Sequence, residues 1–138
     1  MKIFALLFIT IASTALAAVP QGGPKIETDT GTVGFLRRHL VSGADIGYPL
    51  EAAKAKQQGS VFYLMKLRAD GSVESLKLKK STGHKALDEN VRRTLNGYRF
   101  KPKTKSPLLW LVSFAQPATV IVKCWRVEGD DVQLPPTL

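Results

Sequence analysis

The chain has 138 residues, 44% of them hydrophobic and 22% charged, with a formal net charge of +9. Once a leader is set aside, that length gives room for one small domain with a modest core, not two. A single cysteine, Cys124, excludes an internal disulfide, so the fold must rest on its core alone, and the apolar neighbours Val120, Val122 and Trp125 predict that the thiol is buried.

Residues 1–18, MKIFALLFITIASTALAA, set Lys2 before an uncharged apolar run that ends in small residues, the pattern of a secretory signal peptide. The run is shorter than the ~20 residues a membrane span needs. The expected location is therefore the periplasm, or the inner membrane if the signal stays on as an anchor. Residues 19–46 read as an N-terminal extension. Its first part, 19–32, is rich in Gly, Pro, Thr and Asp and predicts an extended or mobile lead-in; Phe35, Leu36, Leu40 and Val41 are spaced for one face of a short helix over Val33–Val41.

A domain is expected over residues 47–128. Pro49 and the good helix formers after it predict a helix over Pro49–Gln58, stopped by Gly59. Val61, Tyr63, Met65 and Leu67 then recur at period two, with Lys66 and Arg68 on the opposite side, as a half-buried strand. Asp70-Gly71 predicts a tight hairpin into a second strand with Val73, Leu76 and Leu78 inward. The odd step from 73 to 76 predicts a bulge near Glu74-Ser75. Leu87, Val91 and Leu95 mark an amphipathic helix over Lys85–Asn96, ended by Gly97. LLWLVSFA, residues 108–115, fits a strand, a buried helical turn or a docking patch, with a place in the core favoured. Alternation returns over Ala118–Val127, the last strand, and the tail 129–138, with two acids and two prolines, is expected to be loose.

Charge is concentrated rather than spread. Residues 66–105 hold 12 basic and 4 acidic side chains. Lys66, Arg68, Lys77 and Lys79 should share one face of the hairpin, either as a solvated surface or as a face that docks on lipopolysaccharide, anionic lipid or an acidic partner. Export and the lack of an aromatic-basic stacking motif argue against nucleic acid.

Catalysis finds no constellation. His39 and His84 stand on separate segments, Asp88 and Glu89 are adjacent and so point apart on a helix, and Gly22, Gly23 and Gly31 form no phosphate loop. No catalytic, metal-ligating or cofactor-binding residue is expected, and no cofactor.

The segment from Gly47 to Pro102 resembles the C-terminal domain of the TonB family. Tyr48-Pro49, Gly59, Asp70-Gly71, Ser81-Thr82-Gly83, Leu87-Asp88 and Tyr98-Arg99-Phe100-x-Pro102 stand in that family's order and spacing, with Thr82 and Tyr98 as conservative departures. Each motif is short; their shared order over 56 residues makes the match. The resemblance implies an α+β fold, a three-stranded antiparallel sheet packed against two helices. It also implies a non-enzymatic module that accepts an extended segment of an envelope protein, such as an outer-membrane transporter, beside its last strand. Here that margin would be Thr119, Val120, Ile121, Val122, Lys123 and Trp125, with Tyr98 and Arg99 beside it. A homodimer through the same edge is a further expectation. The family's energy transducers carry an anchor and a long proline-rich rod. The residues from Val19 to Tyr48 could reach only roughly 100 Å when fully extended, so a stand-alone binding module is expected rather than a force-transmitting one.

Overall fold

Buried residues fill both sides of the strand that follows Gly59. Val61, Tyr63 and Met65 point one way and Phe62 and Leu64 the other, and none of the five is more than 2% exposed. A strand buried on both faces needs a cover on each, and the rest of the architecture supplies the two covers.

The computed structural model describes residues 25–28 and 30–135. The expected signal sequence, the start of the lead-in and the last three residues of the tail lie outside the described residues. In chain order the elements are β1 (Lys25–Thr28), α1 (Thr30–His39), β2 (Leu40–Ser42), α2 (Leu50–Lys54), β3 (Gly59–Leu67), β4 (Val73–Lys80), α3 (Lys85–Asn96), β5 (Arg99–Phe100), β6 (Leu108–Ala115) and β7 (Thr119–Arg126). The main sheet has the order β1-β7-β6-β3-β4, antiparallel except for β1, and β2 and β5 form a small separate pair. The fold is α+β.

The sheet has five strands where three were expected, because the lead-in adds β1 at one margin and LLWLVSFA is β6, at the centre between β3 and β7. Seven of its eight residues are buried. A strand covered on both faces carries no alternation, which is why its sequence left the choice open.

One face of the sheet packs on α2 and α3 through Ala52, Leu87, Val91 and Leu95, with Trp110 at its middle. The other face, Phe62, Leu64, Leu109 and Leu111, is covered by Trp125, Val127, Val132 and Leu134. The last two belong to the tail, so the described part of the tail lies on the sheet instead of hanging loose. Burying a side chain of this size is worth roughly 1.5–3 kcal/mol, enough for two residues to hold a short segment in place.

Three local readings change. The helix after Pro49 stops at Lys54, because Lys56 turns left-handed (φ 56°) and the Gln57 amide bonds back to the Ala52 carbonyl at 2.9 Å, the pattern that closes a helix. The helix after the lead-in ends at His39, and Leu40 and Val41 belong to β2, where Val41 is 63% exposed. The hairpin loop is Ala69-Asp70-Gly71: Arg68 and Ser72 close it, and Gly71 alone among the three takes a positive φ, 93°. The bulge falls where the odd step put it, the register passing from Lys66↔Ser75 to Leu67↔Val73 and leaving Glu74 over.

Candidate functional site

In an antiparallel ladder, successive residues turn their backbone groups alternately toward and away from the partner strand. Along β7 this parity is set by Cys124, whose amide donates to the Thr32 hydroxyl at 3.0 Å and so points away from β6. Val120, Val122 and Arg126 share that parity, so their amides and carbonyls also face away from β6. These are the groups an added strand would use.

The margin expected to be open is occupied by the chain itself. β1 pairs with β7 in parallel, Lys25↔Thr119 through Thr28↔Val122. One step further the Thr32 hydroxyl of α1 accepts from the Cys124 amide and donates to the Cys124 carbonyl at 3.3 Å. The physical reason is the one that makes any edge reactive: unpaired donors and acceptors bind the nearest extended backbone, and the lead-in is the nearest. Of the six residues expected at that margin, Thr119, Val120, Ile121 and Val122 are paired with the chain's own lead-in, and Lys123 and Trp125 lie on β7 past its end. Cys124 is 4% exposed and its thiol is free of any disulfide.

Tyr98 and Arg99 part company. Tyr98 is 6% exposed; its hydroxyl donates to the Ala44 carbonyl at 2.8 Å and its ring meets Trp110 edge-on at 5.5 Å. Burial, with Asp45 and Cys124 adding, pushes this phenol up to about 12. It belongs to the core. Arg99 is exposed and donates to the Tyr98 carbonyl at 2.8 Å.

The remaining motif residues turn out to be joints of the fold. The Phe100 amide donates to the Gly71 carbonyl at 2.8 Å, and a Cβ on Gly71 would lie 1.8 Å from the Phe100 carbonyl oxygen, so the hairpin loop and the Tyr98–Phe100 segment can meet only through glycine. The Asp88 carboxylate accepts from the Ser81 hydroxyl, the Thr82 amide at 3.0 Å and the Thr82 hydroxyl at 2.7 Å, tying the turn after β4 to the first turn of α3. The Tyr48 hydroxyl donates to the Gln57 carbonyl and accepts from Gln116 at 3.0 Å. In the sequence Asp88 stands out only beside Glu89 and in the Leu87-Asp88 motif; its spacing from Ser81-Thr82 was the signal for the turn.

The hairpin cations also meet the structure. Lys66 and Lys77 share the tail-covered face, where Lys66 lies 2.8 Å from the Asp130 carboxylate and Lys79 donates to the Asp130 carbonyl at 2.7 Å. Lys66, with Lys77 and Lys79 reinforcing it, holds the Asp130 carboxyl below the usual carboxylate range. Arg68 turns back on its own hairpin and donates to the Val73 carbonyl at 2.9 Å. Among the described residues no cluster of three or more His, Cys, Asp or Glu is placed to hold a metal ion, and no helix is long and apolar enough to cross a membrane.

A small α+β module whose motif residues fasten a hairpin, two turns and an aromatic segment together is what fold and site define. Residues 45–108 match the family described as Gram-negative bacterial TonB protein C-terminal, and this segment belongs to that family. It runs from the approach to α2 to the first residue of β6, leaving β1, α1 and β7 outside. Among solved structures, the solution NMR structure of the Pseudomonas aeruginosa TonB CTD is similar at 17% identity and a TM-score of 0.43, covering 68% of this chain and 88% of that chain; so loose a superposition carries no weight. No curated protein matches the chain.

Proposed function

We propose that the protein is a periplasmic TonB C-terminal-type binding module that takes an extended segment of an envelope partner beside β7, with its own leader giving way. A partner tied to outer-membrane transport is the one that the family segment favours. The observation that carries the reading is the β1–β7 pairing: an extended backbone already lies along Thr119–Val122, held by only four residues in the less stable parallel sense. A longer or antiparallel segment would gain more main-chain bonds and exchange with it. A second copy's leader is one such segment, which would make a dimer.

Capture from an envelope extract tests this. The chain lacking residues 19–28 should recover more partner than the chain starting at Val19, and Val122→Pro, which removes an outward amide, should recover none while keeping a folded spectrum. Equal recovery by all three would refute the reading. A second reading has one observation in its favour: the Asp130 carboxylate already lies 2.8 Å from Lys66, so the hairpin face accepts acid. Docking of that kind on lipopolysaccharide, anionic lipid or an acidic partner would collapse as salt rises, whereas strand exchange would persist.

A further inference from the structure

Beyond Thr32 the β7 margin opens into a groove that neither the leader nor the family segment explains. Its first stretch, about 290 Å³, lies between Gly31 and Thr32 on α1 and the Cys124–Arg126 end of β7. Its second, about 360 Å³, runs from Phe35 and His39 to Lys103, Lys105 and Arg126. The two share Phe35 and Arg126 and so adjoin at the Arg126 end of β7, a channel in two stretches.

Three features give this channel a chemistry. Among the described residues that line it there is no carboxylate, while Lys103, Lys105 and Arg126 converge on its second stretch. The carboxylate beside it, Glu128, reaches Arg126 at 3.6 Å and is 91% exposed, a contact an incoming acid displaces at little cost. The loop that presents the lysines is pinned: the Lys101 amide donates to the His39 carbonyl at 2.8 Å, and the Lys103 amide to the Ala69 carbonyl at 2.9 Å. Lys103 itself is held at φ 65°, a conformation costly for a side chain with a Cβ, kept here where the two lysines face the groove. Finally, the Arg126 amide and carbonyl face away from β6 into the same margin, by the parity that Cys124 sets.

We infer that this groove is a binding site for an extended acidic peptide segment of a partner protein, its carboxylates on Lys103, Lys105 and Arg126, an apolar side chain on Phe35 and its backbone on Arg126. The elongated shape along a strand edge and the outward backbone groups favour a peptide over a phosphorylated lipid, which has no use for a backbone donor and acceptor side by side. The site does not need β1 to leave β7, so it stands or falls apart from strand exchange.

The test uses the secreted form of the chain, isotope-labelled, titrated with a short synthetic peptide alternating Glu with Thr around a central Leu, and with its Gln counterpart. Amide shifts should appear first at Phe35, His39, Lys103 and Arg126. The triple variant Lys103→Gln, Lys105→Gln, Arg126→Gln should bind about tenfold more weakly with the rest of its spectrum unchanged, and Lys77→Gln with Lys79→Gln should bind within about twofold of the parent. No binding of the Glu peptide, equal binding of the Gln peptide, shifts confined to β4, or binding to phosphatidylglycerol vesicles that the peptide does not compete away would each overturn the inference.

Discussion

At one margin of the main sheet β7 is lined by the chain's own leader and by Thr32; at the other, β4 runs with no strand beside it among the described residues and carries Lys77, Lys79 and Lys80. Both devices keep an edge from pairing at random, and they do so by opposite physics. Lysines repel and hydrate, and they leave nothing to exchange. A covering strand satisfies the same groups that a partner would, so it leaves a margin that is closed yet convertible. The difference teaches that the candidate binding edge is the covered one, and that the uncovered one is guarded by its charges.

The largest expected effect lies on the open side. Gly71→Ala would drive a Cβ into the Phe100 carbonyl and force a positive φ on alanine. A loss of about 2–4 kcal/mol in denaturant unfolding is expected, with the β4 hairpin the first element to lose protection. A change below about 0.5 kcal/mol would mean that the hairpin is not fastened to Phe100.

Asp88→Ala comes next. It takes away the acceptor of the Ser81 hydroxyl and the Thr82 amide where β4 turns into α3, at a cost of about 2 kcal/mol measured the same way. Lys56→Gly should move stability the other way, by about 0.5–1 kcal/mol, because glycine takes the left-handed position that closes α2 without strain.

The smallest effect concerns the tail. Because the Asp130 carboxyl titrates lower in the folded protein than in the unfolded chain, its contribution is present above the ordinary carboxylate range and is lost as pH falls through the depressed value. Asp130→Asn should therefore flatten the acid limb of the pH–stability curve slightly, and the difference should vanish in high salt. An identical acid limb at low salt would show that the Asp130 carboxylate does not help to hold the tail.

How much of this was legible follows from what each region asks of its residues. Strand β4 with its bulge at Glu74 and the helix α3 were readable because each has one wet face, which writes a period of two or of nearly four into the sequence; β3, expected to be half-buried and in fact covered on both faces, was bounded by Gly59 and Asp70-Gly71 and by Lys66 and Arg68 at its end. β6 was not readable, since a strand buried on both sides writes an unbroken apolar run that a buried helix shares. The early end of α2 was hidden because lysine, not glycine, takes the left-handed turn. β1 has four residues, and a segment that short gains its structure from β7 and not from its own propensity. For the candidate site, the strand and its residues were in reach of periodicity alone. Its cover was not, because pairing between residues so far apart leaves no local mark. The tail was hidden likewise: two apolar residues among prolines and acids look like linker until the face they cover is known.

The most direct measurement is amide hydrogen exchange at Val120 and Val122 in the chain that starts at Val19 and in the chain that starts at Thr30. The account predicts slow exchange at both amides in the intact protein and a marked loss of protection in the shortened one, with Trp125 and the amides that face β6 unchanged. Rapid exchange at Val120 and Val122 in the intact protein, equal to that of the shortened chain, would contradict it.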